Sequence, residues 1–177
     1  MVRLPILLGN LIEMIGLIVA LTLLLLAPEL HNSLHAFFLY LIALGLLVFF
    51  PHCLAHYVVG RLTGIKFEYY RLGKSGVAKL KLPAVSFLGS KLPVLALKVD
   101  RSSIHQANRI GISAMFSAGA LVSMAFPFLA VAASIGNLPL PLSIILMLLA
   151  ASNLVFDLYY SPRTGDLARA TSFHGSS

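Results

Sequence analysis

Apolar residues run almost unbroken from Leu4 to Ala27, Leu34 to Leu62, Ile110 to Ile135 and Leu140 to Tyr160. Each run reaches the ~20 residues that a helix needs to cross ~30 Å of hydrocarbon. The pattern therefore predicts an α-helical polytopic membrane protein, a single membrane domain over 1–177 with about four transmembrane helices. The first run contains only Asn10 and Glu13 as strongly polar residues and ends at Pro28. It is too long for a cleaved signal peptide and lacks the small-residue cleavage site. Pro51 removes a backbone hydrogen bond within the second run and predicts a kink there. The turn "GNLPLP" folds the third and fourth runs into an antiparallel hairpin.

Between the second and third runs the pattern changes. From Gly64 to Asp100 the segments "IKFEYYRL", "VAKLKL", "AVSFL" and "VLALKV" are short and often alternating, separated by "GKSG", Pro83 and "GSKLP". Period two with glycine and proline punctuation predicts a small membrane-surface sheet of three or four strands. Phe67, Tyr69 and Tyr70 would anchor that sheet at the headgroup level, with Glu68 on its surface. Asp100 or Ser102 is placed to cap the returning helix.

Composition supports the bilayer as solvent: 59% of the residues are hydrophobic and 11% charged, with a mean hydropathy of +0.93. Of the thirteen basic residues, Arg3 precedes the first run, ten lie from Arg61 to Arg109, and Arg163 and Arg169 follow the fourth. The positive-inside rule then places both termini and the β-rich segment in the cytoplasm. The net charge of +7 is accounted for by topology and anionic membrane lipids, with no nucleic acid needed. One cysteine, Cys53, excludes an internal disulfide and a cysteine-rich zinc site.

Two histidines, His52 and His56, stand four apart inside the second run. On a helix that spacing puts both imidazoles on one face, in reach of a single metal ion. His56 falls ~9 Å of helical rise before Leu62. Asp157 and Asp166 sit at the matching end of the fourth run, and either aspartate could complete an open His/His/Asp zinc site. Without a metal, His52 and His56 would hydrogen-bond neighbouring helices, Asp166 would pair with Arg163 or Arg169, and Asp157 would be a packing polar residue. Glu13 is the one carboxylate inside the first two runs, at a depth comparable with His52. His31, His35 and His105 fall at loops or run edges and read as interfacial.

The stretch "HCLAHYVVGRLTGIKFEYYRLGKSG" resembles the site-2 protease family of intramembrane zinc metalloproteases, in which an H-E-x-x-H helix precedes a glycine-containing turn and membrane-associated strands. "SAGALVSMAF" is similar to that family's small-residue core segment, and "SNLVFDLYYSPRTGDLARA" to its closing N-x-x-P...D-G element. The resemblance implies that His52, His56 and Asp166 hold Zn2+, while Asp157 takes the place of the asparagine that supports substrate or the ligand loop. Three departures stand out. The D-G order appears as Gly165-Asp166, the N-x-x-P proline is missing, and Cys53 stands where the family's glutamate takes a proton from the attacking water.

A thiol is shorter than glutamate and has a reference pKa of ~8.5. Cys53 therefore reads as a small buried residue, a zinc-associated thiolate, or a replacement of a natural glutamate. The functional expectation is a pseudoprotease with an intact metal site. The rivals are an active protease, with Glu13 or a water chain as substitute base or with glutamate as the natural residue at 53, and a metal-free structural subunit of a membrane complex. Transmembrane protein segments are the expected substrates or partners.

Overall fold

A computed structural model describes residues 2–74 and 93–172. In chain order the elements are strand β1 (Val2–Leu4), helix α1 (Ile6–Leu26), a short 3-10 turn (Ala27–Glu29), α2 (Ser33–Leu62), β2 (Phe67–Lys74) and β3 (Pro93–Val99). Then follow α3 (Arg101–Gln106), α4 (Arg109–Ala125), α5 (Pro127–Ser134), α6 (Leu140–Thr164) and α7 (Asp166–Ser172).

Four helical stretches are long and apolar enough to cross a membrane: Ile6–Glu29, Ser33–Leu62, Arg109–Ser134 and Leu140–Thr171. Their outer surfaces are uncovered by protein; Leu7 is 82% exposed, Leu25 76% and Ile110 72%. Apolar surface on that scale is foreign to a water-exposed monomer. The predicted third run divides at Phe126, where Pro127 opens a new helix. Proline fits a first turn because its missing N–H has no intrahelical partner there. The second run stays helical through Pro51.

Helix α2 lies at the centre, packed on α1 along one side and on α4 along another. Its own start is capped by Asn32, whose side chain accepts from the N–H groups of Leu34 and His35. The largest buried cluster gathers Tyr40, Leu44 and Leu47 of α2 with Ala20 of α1, Ala130 and Val131 of α5, and Leu146 and Ala150 of α6. Tyr40 keeps its hydroxyl satisfied there by donating to the carbonyl of Ala133 at 2.9 Å.

Among the described residues the sheet has three strands in the order β1-β2-β3, antiparallel throughout. "IKFEYYRL" and "VLALKV" supply β2 and β3, whereas "VAKLKL" and "AVSFL" lie outside the described residues. The remaining strand comes from Val2–Leu4, where the pattern predicted the beginning of a span at Leu4. Three residues carry no alternation to read, and only pairing with Tyr70, Arg71 and Leu72 makes them a strand. Asp100 is the cap of α3, accepting from the Ser102 N–H; the Ser102 hydroxyl also donates to it and holds its carboxyl below the usual range.

Tyr70 departs from the headgroup role expected of it. Its ring is fully buried against α1 at Gly9, and its hydroxyl donates to Asn10 Oδ1 at 2.7 Å. Burial pushes its phenol above the ordinary range. The ring occupies the space a side chain at Gly9 would need, so this glycine sets how closely the sheet approaches α1.

Gly9→Ala should therefore destabilise the chain, because its methyl overlaps a ring held by both packing and hydrogen bond; overpacking costs ~1–3 kcal/mol. Gly45→Ala has nothing within 4 Å of the added carbon. It should be neutral or stabilising by up to ~1 kcal/mol, as expected for alanine over glycine in a helix. Thermal unfolding in detergent measures both; at ~2–4 °C per kcal/mol, a drop for Gly9→Ala with none for Gly45→Ala is the expected result.

Candidate metal centre

Helix α2 presents His52 and His56 toward α4 and α7, and each ring is fixed by a bond at Nδ1. His56 Nδ1 lies 2.6 Å from the carbonyl oxygen of Met115. A carbonyl only accepts, so Nδ1 carries the proton and Nε2 keeps its lone pair. His52 Nδ1 lies 2.9 Å from Ser123 Oγ, which itself donates to the carbonyl of Val48 at 3.0 Å. The hydroxyl has one proton and has spent it on Val48, so His52 Nδ1 donates and its Nε2 also keeps a lone pair.

The two Nε2 atoms then face each other at 3.2 Å, and Asp166 Oδ2 lies 3.2 Å from one and 3.3 Å from the other. Three acceptor atoms converge with no donor between them. A tetrahedral ion with ligands at ~2.0–2.1 Å requires ligand-to-ligand edges of ~3.3–3.4 Å, close to this triangle. His52, His56 and Asp166 are thus near enough to hold a metal ion. The nitrogen-nitrogen-oxygen donor set fits a divalent transition ion, with histidine protons held away from it on outer partners.

Asp166 reaches this point through a break in the last helix. The chain is extended at Gly165, with φ −96° and ψ −153°, and a side chain there would run into Ser161, 2.7 Å from its Cα. Ser161 Oγ accepts from the N–H of Leu167 at 3.1 Å, starting α7, and Ser113 of α4 donates to the carbonyl of Ala170 at 2.9 Å. Arg169 Nη1 lies 3.4 Å from Asp166 Oδ1, which leaves Oδ2 to the histidines. The ion pair with Arg169 and the ligand role are both accommodated because they use different oxygens.

Glycine at 119 is the least replaceable part of the α4 wall. A methyl group there would overlap the His56 ring at Nε2. Its absence also lets the ring come down onto the Met115 carbonyl one turn earlier. Ser123, Gly119 and the Met115 carbonyl had no individual signal in the sequence, although "SAGALVSMAF" contains two of these positions. Small residues mark close approach; which ring approaches is a matter of packing.

The remaining candidates lie around the triad. Asp157 on α6 is half-buried and within electrostatic range of His52 and Asp166, without being one of the three converging groups. One turn earlier, Asn153 Nδ2 donates to the carbonyl of Ser123 at 2.9 Å and ties α6 to α4. Cys53 is 4% exposed and its thiol donates to the carbonyl of Leu95 in β3 at 3.2 Å. Glu13 of α1 is 2% exposed and lies against the backbone of Cys53 and Leu54; its Oε2 has no hydrogen-bond partner among the described residues.

Detergent-purified protein should contain one divalent ion per chain. Ser123→Ala should weaken its binding ~10- to 100-fold, the usual cost of removing an outer partner of a ligand histidine. Gly119→Ala should lose the ion while keeping its helical circular dichroism, since alanine favours the helix and opposes only the ring. Elemental analysis reads the outcome. Equal metal in the wild type, Gly119→Ala and a His52→Ala, His56→Ala double variant would refute the site.

Against this geometry, no family model, curated protein or solved structure matches the chain.

Proposed function

We propose that this chain is a polytopic membrane protein on the site-2 protease plan, holding one zinc ion on His52, His56 and Asp166, and acting as a pseudoprotease. The observation that carries the reading is the closed triangle of Nε2, Nε2 and Oδ2 at 3.2–3.3 Å, with both histidine protons directed outward. The sequence resemblance supports the choice of zinc and of this family. When bound in such an open set, zinc supplies Lewis-acid polarisation of an oxygen ligand.

The chain's own residues argue against proton transfer by residue 53. Hydrolysis by the family's route needs a carboxylate that accepts a proton from water and returns it to the leaving amine. The Cys53 thiol has its proton engaged with Leu95 and is closed off from solvent. What remains is binding: the triad would join α2 and α7 at one ion, with Ser123 and the Met115 carbonyl of α4 orienting the two rings. Exposed helix surfaces would meet lipid or the transmembrane segment of a partner protein.

The chain should therefore fail to cleave a transmembrane peptide that site-2 proteases accept. Cys53→Glu should gain slow cleavage, since general base catalysis contributes ~10²- to 10⁴-fold. Chelator-sensitive cleavage by the unaltered chain, abolished by His56→Ala, would sink the pseudoprotease reading. It would direct attention to Glu13, whose unpartnered oxygen lies beside Cys53.

Orientation follows from the basic residues: both termini and the β-rich segment are proposed to face the cytoplasm. A Glu68→Cys variant places a thiol at an exposed position on β2. Membrane-impermeant maleimide should label it in inverted vesicles and not in intact cells; the opposite pattern would reverse the topology.

A further inference from the structure

The sheet has two faces, and their chemistry differs. Directly paired residues point to the same side, and successive residues to opposite sides. One face carries Leu4, Tyr70 and Leu97 in one row and Val2, Leu72 and Leu95 in another. Tyr70 is buried on α1 against Gly9, so this side faces the helices. The other face carries Arg3, Arg71 and Ala96 in one row, with Tyr69 and Lys98 beside them.

Arg3 and Arg71 are thus cross-strand partners, and both are exposed. Side chains so paired leave Cβ atoms only ~4.5–5.5 Å apart, and like charges at that spacing repel. The guanidinium of Arg3 lies over the Tyr69 ring, 4.8 Å from its centre. Among the described residues no carboxylate forms a salt bridge with either arginine. The pairing is unfavourable by itself and becomes favourable around an anion, for which two guanidinium forks are suited when it is a phosphate.

Position selects the anion. The neighbouring row, Leu4 and Tyr70, packs at Gly9 and Asn10, within the first turns of α1 after its start at Ile6. The arginine pair therefore stands where the first apolar helix begins. If α1 spans a bilayer, that level is the headgroup region.

We infer that Arg3 and Arg71, with Lys98 and Tyr69 alongside, form a binding site for the phosphate of an anionic phospholipid. This rests on the membrane-embedded reading but is independent of the metal. The sheet is then held from both sides, by Tyr70 against α1 and by a lipid phosphate across β1 and β2. Such a lipid would link the N-terminal strand to β2, whose Tyr70 packs on α1.

The test uses the full chain in neutral detergent, titrated with phosphatidylglycerol or phosphatidylcholine and followed by native mass spectrometry of the lipid adducts. Phosphatidylglycerol should bind in preference. Arg3→Gln and Arg71→Gln should each weaken it ~5-fold, the factor that corresponds to the usual attraction of one basic residue to an anionic surface. Arg163→Gln, altering a residue that caps a carbonyl of its own helix, should leave it unchanged.

Arg3→Glu gives a second readout. It converts the repelling pair into an attracting one, so it should raise the melting temperature in lipid-free detergent while abolishing the lipid preference. Metal content should stay at the wild-type level in every variant, which separates failure here from failure of the metal centre. Equal binding of the two lipids, wild-type adducts in the Arg3→Gln, Arg71→Gln double variant, or displacement of the lipid by millimolar inorganic phosphate would each overturn the assignment.

Discussion

The arrangement depends on three acceptor atoms being held together. Two imidazole lone pairs and a carboxylate oxygen within 3.3 Å of one another oppose approach unless a cation lies among them. Everything nearby serves that convergence. The Met115 carbonyl and Ser123 hydroxyl fix the tautomers, Gly119 admits the His56 ring, and the break at Gly165 turns Asp166 inward. The contacts come from α2, α4 and α7, and the serine that starts α7 stands in α6, so a filled centre would join these four helices at one point. Removing charge compensation would instead push them apart.

A second polar junction lies around Cys53, next in the chain to His52. Glu13 and Asn10 of α1, Cys53 of α2, Tyr70 of β2 and the Leu95 carbonyl of β3 meet where the sheet joins the helices. Buried polar groups are tolerated when partnered, and here the thiol, phenol and amide oxygen are. Glu13 Oε2 is the exception among the described residues. Cys53 is thereby explained as a structural contact to β3, its short thiol donating to a strand carbonyl. The Cys53 thiol thus docks the sheet on the helix.

Much of this was legible along the chain. Uninterrupted apolar length is a local property, so the four long helices could be read directly, as could the strands at Phe67 and Pro93 and the cap at Asp100. The four-residue spacing of His52 and His56 fixed their common face because helical geometry leaves no alternative. Asp157 and Asp166 were both admissible as third ligand, since helix periodicity says nothing about a chain that breaks at Gly165. The resemblance to a known motif, rather than spacing, favoured Asp166.

Tertiary structure decided what depends on approach between distant segments. Val2–Leu4 becomes a strand only through β2, Tyr70 turns from an expected interfacial anchor into a buried wedge against Gly9, and Cys53 acquires Leu95 as its partner. Gly119 and Ser123 become site residues because α4 crosses α2 at the histidines. A sequence dictates periodicity and length, which are set by neighbours along the chain. Register across a sheet and the meeting of two helix faces are set by packing among many residues at once, and no single stretch of sequence contains that information.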